Sequence, residues 1–268
     1  MNNKNIILFS NVNIIISIIA FFNQIYVLIA DNLDCQKTIF ILLFSALTIL
    51  TIIGQRRYFT PSFLLSSFFI IVTLRLSSLS NISICIWLYL FTLAIQFLIF
   101  IIYCNQDLKL FKDKVKAKEK LMLFQLIFIR IYIGYDLIPH FCEKLFAGDA
   151  IRNIDVSAFT TLGVPNPLFF VYMAGIIEFL GSLAVSCGFL IRFSSFGLVL
   201  YLLIATFLGH HFSLGFIWAG RGGGWEFPIL WSVIILSFGF IKPTLFTIDE
   251  FILKNFRLAK TLRRIMEY

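Results

Sequence analysis

The chain has 268 residues, of which 60% are hydrophobic and only 13% are charged, and its mean hydropathy is +0.94. This composition excludes a soluble globular protein, in which about 25% of the residues are charged. The net charge of +8 would suit a nucleic-acid-binding protein, but the positions of the basic residues argue against that class. The apolar segments lack the period-2 alternation of a membrane barrel, so the sequence predicts an all-α integral membrane protein.

Eight apolar runs could cross the hydrocarbon core of a bilayer, which requires roughly 20 residues per helix. In chain order they are residues 6–29, 38–54, 61–76, 82–104, 121–141, 167–190, 193–212 and 225–241. The second and third are short, and the third contains Arg75, so their ends are the least defined. The first run is too long for the apolar region of a signal peptide and is predicted to be a retained helix.

The basic residues fall mainly on one side of the predicted membrane. With eight spans and the N-terminus inside, most lysines and arginines, including those of 109–120 and 242–264, lie in cytoplasmic segments. This distribution follows the positive-inside rule. We therefore predict a multi-pass membrane protein with both termini in the cytoplasm. Its positive charge would face anionic lipid rather than nucleic acid.

A lysine-rich polar run, residues 105–120, divides the chain into two sets of four spans. This predicts an N-terminal four-span region of unknown role (1–104), a cytoplasmic linker (105–120), a four-helix domain (121–245) and a basic amphipathic tail on the inner membrane surface (246–268). The second set contains all three histidines and five of the six prolines. It also contains most of the glycines, which allow close helix packing in membranes. Function is therefore expected in the second set.

Two charged residues interrupt the apolar runs of the second set, Arg130 and Glu178. A charge near the middle of a membrane helix costs on the order of 3 kcal/mol, so it is rare and usually functional. Helix rise places Arg130 about 14 Å and Glu178 about 17 Å from the ends of their runs, near the midplane. This predicts a buried ion pair. Either the pair is structural, or Glu178 is a proton-relay carboxyl or an acceptor for a ligand hydroxyl.

A second polar group is predicted at the outer ends of the same spans. Asp136 and His140 are four residues apart on one helical face, and Pro139 is expected to bend the helix there. The group consists of Asp136, His140, Glu143, Lys144, His210, His211, Arg221 and Glu226. Because histidine titrates near neutrality, the catalytic candidates are Glu178, His140, His210 and His211. The histidines lack a metal-binding spacing such as His-x-His, so no metal ligand is assigned.

The order and spacing of short motifs in 121–245 resemble the DoxX family of bacterial membrane proteins. The motifs are Arg130 and Gly134, the run 140–146, Phe159 with 162–167, Glu178 and Gly181, Gly188 with Ile191 and Arg192, His210 and His211, and 224–228. The resemblance implies a four-helix membrane bundle and a location in a bacterial inner membrane. For some members it also implies a role beside quinone-linked oxidation of sulfur compounds or thiol-based redox defence. Other members look like maturation partners of copper-binding peptides.

The chain departs from the family pattern at two positions. Phe141 follows His140 where glycine is usual, and Phe227 stands where tyrosine is common. The first change could narrow any space beside His140, and the second removes a hydroxyl. Both changes put a directly transferred reaction in doubt.

Three functional hypotheses follow. In the first, the chain is a quinone-linked oxidoreductase or a subunit of one, with quinone as the candidate cofactor and Glu178 and the histidines handling protons. In the second, it is a non-catalytic membrane subunit or scaffold for a soluble or membrane oxidoreductase. In the third, it handles a metal such as copper or a small molecule. The sequence leaves open whether the chain is an enzyme.

Overall fold

The computed structural model describes residues 4–30, 35–109, 114–220, 222–240 and 246–267. The regular structure within these ranges is entirely helical, which confirms the predicted all-α class. The helices are α1 (Lys4–Ala30), α2 (Cys35–Gly54), α3 (Phe59–Leu79), α4 (Ser83–Lys109), α5 (Lys114–Tyr135), α6 (Ile138–Phe141), α7 (Asp149–Thr161), α8 (Pro167–Cys187), α9 (Ile191–Leu208), α10 (Glu226–Phe240), α11 (Ile248–Asn255) and α12 (Lys260–Glu267). A π-helical turn, Cys142–Phe146, follows α6.

Seven segments in the described part of the chain are long and apolar enough to cross a membrane. They are Lys4–Ala30, Gln36–Gly54, Phe59–Leu79, Ser83–Leu108, Val115–Phe146, Pro167–Cys187 and Ile191–Leu208. They correspond to the first seven predicted runs. The eighth run corresponds to α10, which is apolar but has only 15 residues. The chain is therefore a multi-pass membrane protein, as predicted.

The chain folds as two compact units. The first runs to Phe128 and also includes Phe146–Asp149, whereas the second comprises Ile129–Leu145 and the chain from Ala150 onward. In the first unit, α1 to α4 form a closed four-helix bundle, in which each helix packs against the next and α4 packs against α1. Apolar side chains such as Leu8, Ile15 and Phe22 are exposed on the outside of α1, which suits contact with lipid.

In the second unit, α8 packs between α6 and α9, and α9 also packs against α10. Apolar side chains form the core between these helices: Ile133, Leu137, Val185, Ile191, Leu198, Val199, Leu202, Ile235 and Phe238. The helices α5 and α8 approach closely at Gly134, where an added Cβ would lie 2.7 Å from the backbone nitrogen of Ser186. The hydroxyl of Ser182 donates to the Gly134 carbonyl at 2.5 Å. This is the small-residue packing expected between membrane helices.

The predicted bend near Pro139 takes the form of a break. α5 ends at Tyr135, and α6 begins at Ile138 with Pro139 in its first turn, where a missing N–H costs least. The amphipathic helix α7 was not predicted, because at 13 residues it is too short and too polar to register as an apolar run. The break, the π-helical turn and α7 together position the polar side chains described below.

Part of the C-terminal tail packs against the second unit. Thr247 Oγ1 accepts from Glu250 N at 2.9 Å and so caps the start of α11, and the Glu250 carboxylate accepts from Phe246 N at 2.8 Å. The Asp249 carboxylate accepts hydrogen bonds from Leu190 N and Ile191 N at the start of α9. These contacts hold α11 on the protein. The surface location proposed for the rest of the tail, including α12, stays a prediction.

Candidate functional site

Glu178 lies buried in the middle of α8, with 5% of its surface exposed. Its two carboxylate oxygens have different partners. The Lys144 ammonium lies 3.1 Å from Oε2, and the Tyr201 hydroxyl donates to Oε1 at 2.6 Å. Removing one member of such a buried pair leaves an uncompensated charge, which costs several kcal/mol. The carboxylate is therefore held between a cation and a neutral hydrogen-bond donor.

The helix break brings Lys144 to this position. Lys144 belongs to the π-helical turn, and π-helical bulges are frequent at functional sites. The turn lies directly against α8 at Gly175, where an added Cβ would lie 2.8 Å from the Leu145 side chain and 3.0 Å from Lys144 Cβ. Gly175 is one helical turn before Glu178, so the lack of a side chain there lets the lysine reach the carboxylate. The Lys144 ammonium also donates to the His140 carbonyl at 3.3 Å.

Arg152 on α7 also contacts the π-helical turn. It is 3% exposed, and its Nε donates to the Lys144 carbonyl at 2.8 Å. Its guanidinium lies over the ring of Tyr172, 4.7 Å from the ring centroid, in a cation–π arrangement. Arg152 therefore fixes the backbone of Lys144 and stabilises the ion pair indirectly.

Three further titratable groups lie within electrostatic range of the Glu178–Lys144 pair, namely His140, Glu143 and Asp155. Asp155 is on α7, outside the membrane-spanning segments, and is partly exposed. Burial raises the pKa of Asp155, and the positive charge of Lys144 opposes that rise. We refer to Glu178, Lys144, Tyr201, His140, Glu143 and Asp155 together as the Glu178 cluster.

The predicted ion pair between Arg130 and Glu178 is wrong. The Arg130 guanidinium, 2% exposed, donates from Nη2 to the Phe246 carbonyl at 2.7 Å. An added Cβ on Gly188 would lie 2.9 Å from Arg130 Nη1. Gly188 follows the last residue of α8 and is ten residues, about 15 Å, from Glu178 along the helix axis. Arg130 therefore lies level with the end of α8, where it binds the tail.

The reason for this error is the length of the fifth span. The depth of Arg130 was counted from residue 121, but the apolar segment extends over 32 residues, Val115–Phe146, including the break. A segment of that length exceeds the hydrocarbon core, which takes about 20 residues. The end of an apolar run was therefore a poor marker of the membrane surface. Lys144, predicted at the outer surface, is the residue that pairs with Glu178 instead.

Three of the predicted outer residues, His210, His211 and Glu226, lie in the loop between α9 and α10 or at its end. His211 Nδ1 is 2.9 Å from the Gly223 carbonyl oxygen, and its ring packs against Trp218. The Glu226 carboxylate accepts from Trp218 N at 3.1 Å. His210 precedes them with a positive φ of 57°. These contacts organise the loop between α9 and α10, and the described contacts of His210 and His211 do not join them to the Glu178 cluster.

Backbone hydrogen bonds complete that loop. Trp225 N donates to the Gly215 carbonyl at 3.1 Å, and Glu226 N donates to the Phe216 carbonyl at 3.0 Å. An added Cβ on Gly224 would lie 2.4 Å from the Gly215 oxygen, so only glycine fits there. The glycine-rich run therefore closes the loop. Arg221, another predicted member of the outer group, lies outside the described residues.

Asp136 lies near the indole of Trp231, and the His140 ring meets the same indole edge-on, 6.1 Å between ring centroids. In the part of the chain that the structure describes, no group of three or more His, Cys, Asp and Glu side chains could hold a metal ion.

Sequence reasoning singled out Glu178, Lys144, Glu143 and His140 but missed three residues, Tyr201, Arg152 and Asp155. Tyr201 carries a detectable signal, because a tyrosine within an apolar span needs a hydrogen-bond partner for its hydroxyl. Arg152 and Asp155 carry none, because they lie in a segment predicted as an outer connection. Only the fold of α7 brings them to Lys144.

Residues 125–211 match the DoxX family model, which overlaps the break, α7, α8 and α9 and so includes the whole Glu178 cluster. No curated protein and no solved structure matches the chain. The matched residues lie within the region whose motifs resembled that family, so the resemblance is confirmed. The C-terminal half of this membrane protein therefore contains a DoxX-family domain.

Proposed function

We propose that the DoxX domain handles protons for a quinone-linked redox reaction, with the carboxylate of Glu178 as the proton acceptor. The observation that carries this proposal is the position of Glu178, buried at mid-helix between the Lys144 ammonium and the Tyr201 hydroxyl. Buried carboxylates in membrane helices are typically parts of proton relays or ligand sites.

The residues of the cluster suit a quinone. Glu178 Oε2 lies beside the Lys144 ammonium in an ion-pair contact, but no hydrogen bond of standard geometry reaches that oxygen. It can therefore accept one from a ligand hydroxyl. Large apolar side chains near Glu178 and Tyr201 along α8 and α9 are exposed, including Ile177, Leu200 and Ile204. They offer an apolar surface for the ring and tail of a lipid-soluble ligand. A bound quinone would supply two-electron, two-proton chemistry.

The cluster also provides groups that can exchange a proton with the aqueous phase. Lys144 and Tyr201 hold the Glu178 carboxylate in place and stabilise its charge. His140, Glu143 and Asp155 interact electrostatically with the pair, and Asp155 is outside the membrane spans and partly exposed. We assign them the transfer of protons between Glu178 and water. Electrons would pass to a partner oxidoreductase.

The same contacts also support a second, purely structural function. The Lys144–Glu178–Tyr201 group joins the π-helical turn, α8 and α9. It could fix the packing of a non-catalytic subunit that anchors a soluble or membrane oxidoreductase. Metal handling has no such support in the described residues. We further propose that the protein resides in a bacterial inner membrane with cytoplasmic termini, on the basis of its basic segments.

The purified full chain in lipid nanodiscs, titrated with a short-chain quinol, the form that carries the hydroxyls, tests the first function. The titration is followed by quenching of tryptophan fluorescence, because Trp231 lies next to His140. We expect saturable binding that Tyr201→Phe weakens about tenfold, equivalent to about 1.4 kcal/mol, and that Glu178→Gln weakens further. The control Lys254→Met alters an exposed lysine of α11 and should bind as the wild type does. Absence of saturable binding by the wild type would refute the proposal.

A charge exchange separates the two functions. The double variant Lys144→Glu, Glu178→Lys retains an ion pair but moves the carboxylate from α8 to the π-helical turn. If the pair only stabilises packing, the double variant recovers the stability lost in each single variant, and partner capture is intact. If Glu178 accepts protons from a bound quinol, stability recovers while quinol binding stays impaired.

A further inference from the structure

The interior of the N-terminal bundle is lined by uncharged polar side chains. On α1, Ser10, Asn13, Ser17 and Gln24 are each at most 1% exposed. Their spacing of three, four and seven residues puts them on one helical face, opposite apolar side chains that face outward. The face extends over 14 residues, about 21 Å, so it covers most of the thickness of a bilayer core.

One end of this face is closed by a hydrogen-bonded layer centred on Gln55. The side-chain oxygen Oε1 of Gln55 accepts from Ser10 Oγ at 3.1 Å, and its side-chain nitrogen Nε2 donates to Ser66 Oγ at 2.8 Å. The Gln96 amide also donates to Ser66 Oγ, at 3.0 Å. This layer ties α1, α3, α4 and the residue after α2 together.

The other end is closed by a layer centred on Gln24. The side-chain oxygen Oε1 of Gln24 accepts from Ser45 Oγ at 2.5 Å, and its side-chain nitrogen Nε2 donates to Ser77 Oγ at 3.2 Å. This second layer joins α1, α2 and α3. In both layers, glutamine side chains form hydrogen bonds with serine side chains of neighbouring helices, as polar side chains in membrane bundles usually do.

Between the two layers, polar groups lack partners. Both side-chain amide atoms of Asn13 and the hydroxyl of Ser17 make no hydrogen bond with any residue that the structure describes, although both residues are 0% exposed. Leaving an amide unpaired in an apolar interior is energetically costly. A buried site with several unsatisfied donors and acceptors is the kind of site that holds an internal water molecule.

Other buried side chains of this bundle can also accept hydrogen bonds. Thr48, Thr73 and Thr92 are each 0% exposed. Each donates its hydroxyl hydrogen to a carbonyl of its own helix, which leaves oxygen lone pairs available. None of the fully buried side chains described in this bundle is charged. The chemistry therefore fits a neutral molecule that both donates and accepts hydrogen bonds, and not an ion.

We propose that the N-terminal bundle contains an enclosed water site beside Asn13 and Ser17, bounded by the Gln55 layer and the Gln24 layer. The site supplies the hydrogen bonds that Asn13 needs. It gives the N-terminal unit a hydrated interior that is independent of the Glu178 cluster. Because a glutamine-centred layer lies at each end, the site is closed and is not an open pore.

Water-edited solid-state NMR on the full chain in lipid vesicles tests this proposal. The side-chain amide signal of Asn13, assigned by its loss in Asn13→Leu, should gain magnetisation from water quickly. The methyl signal of Ile70, which is 0% exposed on α3, serves as the dry control. Transfer to Asn13 that is no faster than transfer to Ile70 would overturn the proposal.

Thermal unfolding of Asn13→Leu provides an independent measurement. In a hydrated site the substitution removes hydrogen bonds with water, so the Tm should fall. In a dry site it removes an unpaired buried amide, which is neutral or stabilising, and an unchanged or higher Tm would contradict the proposal. Thr51→Val is the matched control, because Thr51 is not assigned to the site and its hydroxyl is satisfied within its own helix, and its Tm should change little.

Discussion

A charged group and a neutral donor approach different oxygens of the buried Glu178 carboxylate. The exposed fractions of the Glu178 and Lys144 side chains are 7% and 9%, so water screens their interaction little. We expect the contribution of each of the three side chains, Glu178, Lys144 and Tyr201, to stability to depend on the other two.

Lys144→Met should destabilise the protein by about 3–5 kcal/mol, because it leaves the Glu178 carboxylate buried without its cation. Glu178→Gln should have a similar cost, and the double variant should recover a large part of the loss. Reversible unfolding in detergent measures all three variants. As a control, Lys254→Met removes an exposed ion pair and should change stability by less than about 1 kcal/mol. Additive losses in the double variant would mean that the two side chains do not interact.

Tyr201→Phe should cost about 1.5–3 kcal/mol, the usual contribution of a hydrogen bond to a charged group. The ring is retained, so packing changes little and the loss reports on the hydroxyl alone. The loss should shrink when Glu178→Gln is already present, since the neutral amide is a weaker acceptor. An equal loss in both backgrounds would show that the hydroxyl does not act through the carboxylate.

At the scale of the elements, the contact between the π-helical turn and α8 decides where Lys144 lies. Gly175→Ala should destabilise the domain by about 1–3 kcal/mol, because the new methyl would overlap the Leu145 side chain. The same substitution at Gly197, which has no atom within 4 Å of an added Cβ, should be neutral or stabilising by up to about 1 kcal/mol. Unfolding measurements compare the two. Equal effects at both positions would contradict the close packing at Gly175.

The contact between α11 and the start of α9 should depend on pH. Burial raises the pKa of Asp249, and this effect exceeds the opposing effects of the Leu190 and Ile191 N–H groups and of Arg130. The folded state therefore binds the proton more tightly than the unfolded state does. The stabilisation is complete below the unfolded pKa of about 3.9 and is lost as pH rises through the higher folded pKa.

Hydrogen exchange at the Ile191 amide, corrected for intrinsic rate, measures this dependence. Protection in the wild type should fall as pH rises from about 4 toward neutrality. Asp249→Asn has no carboxyl to titrate, so its protection should stay level over the same range. A wild-type profile as flat as that of the variant would show that Asp249 does not control the contact.

At the scale of the whole molecule, hydropathy was enough to predict an all-α membrane protein, and short motifs were enough to identify its C-terminal domain. The seven long apolar helices coincide with predicted runs, because lipid demands continuous backbone hydrogen bonding within each span. The predicted ion-pair partners of the two buried charged residues, Arg130 and Glu178, were less accurate. The sequence predicts Arg130 as the partner of Glu178, but Lys144 is the cation that lies beside it.

The error has a physical cause that sequence alone could not reveal. A break at Asp136 and Leu137 and a π-helical turn alter the rise and direction of the chain, so depth counted along an ideal helix no longer holds. α7 follows the π-helical turn in the chain and contributes Arg152 and Asp155. The buried polar face of α1 was also visible in the sequence, in the spacing of Ser10, Asn13, Ser17 and Gln24, but it was obscured by the surrounding isoleucines and phenylalanines.

The central claim is that Glu178 accepts a proton during a quinone-linked reaction. Infrared difference spectroscopy of the full chain in nanodiscs, recorded as an added quinone is electrochemically reduced and reoxidised, tests it most directly. The account predicts a carboxylic acid carbonyl band that appears with the change of redox state, is absent in Glu178→Gln and is retained in Lys254→Met. Identical difference spectra for the wild type and Glu178→Gln would contradict the account and leave the Glu178 cluster with a purely structural role.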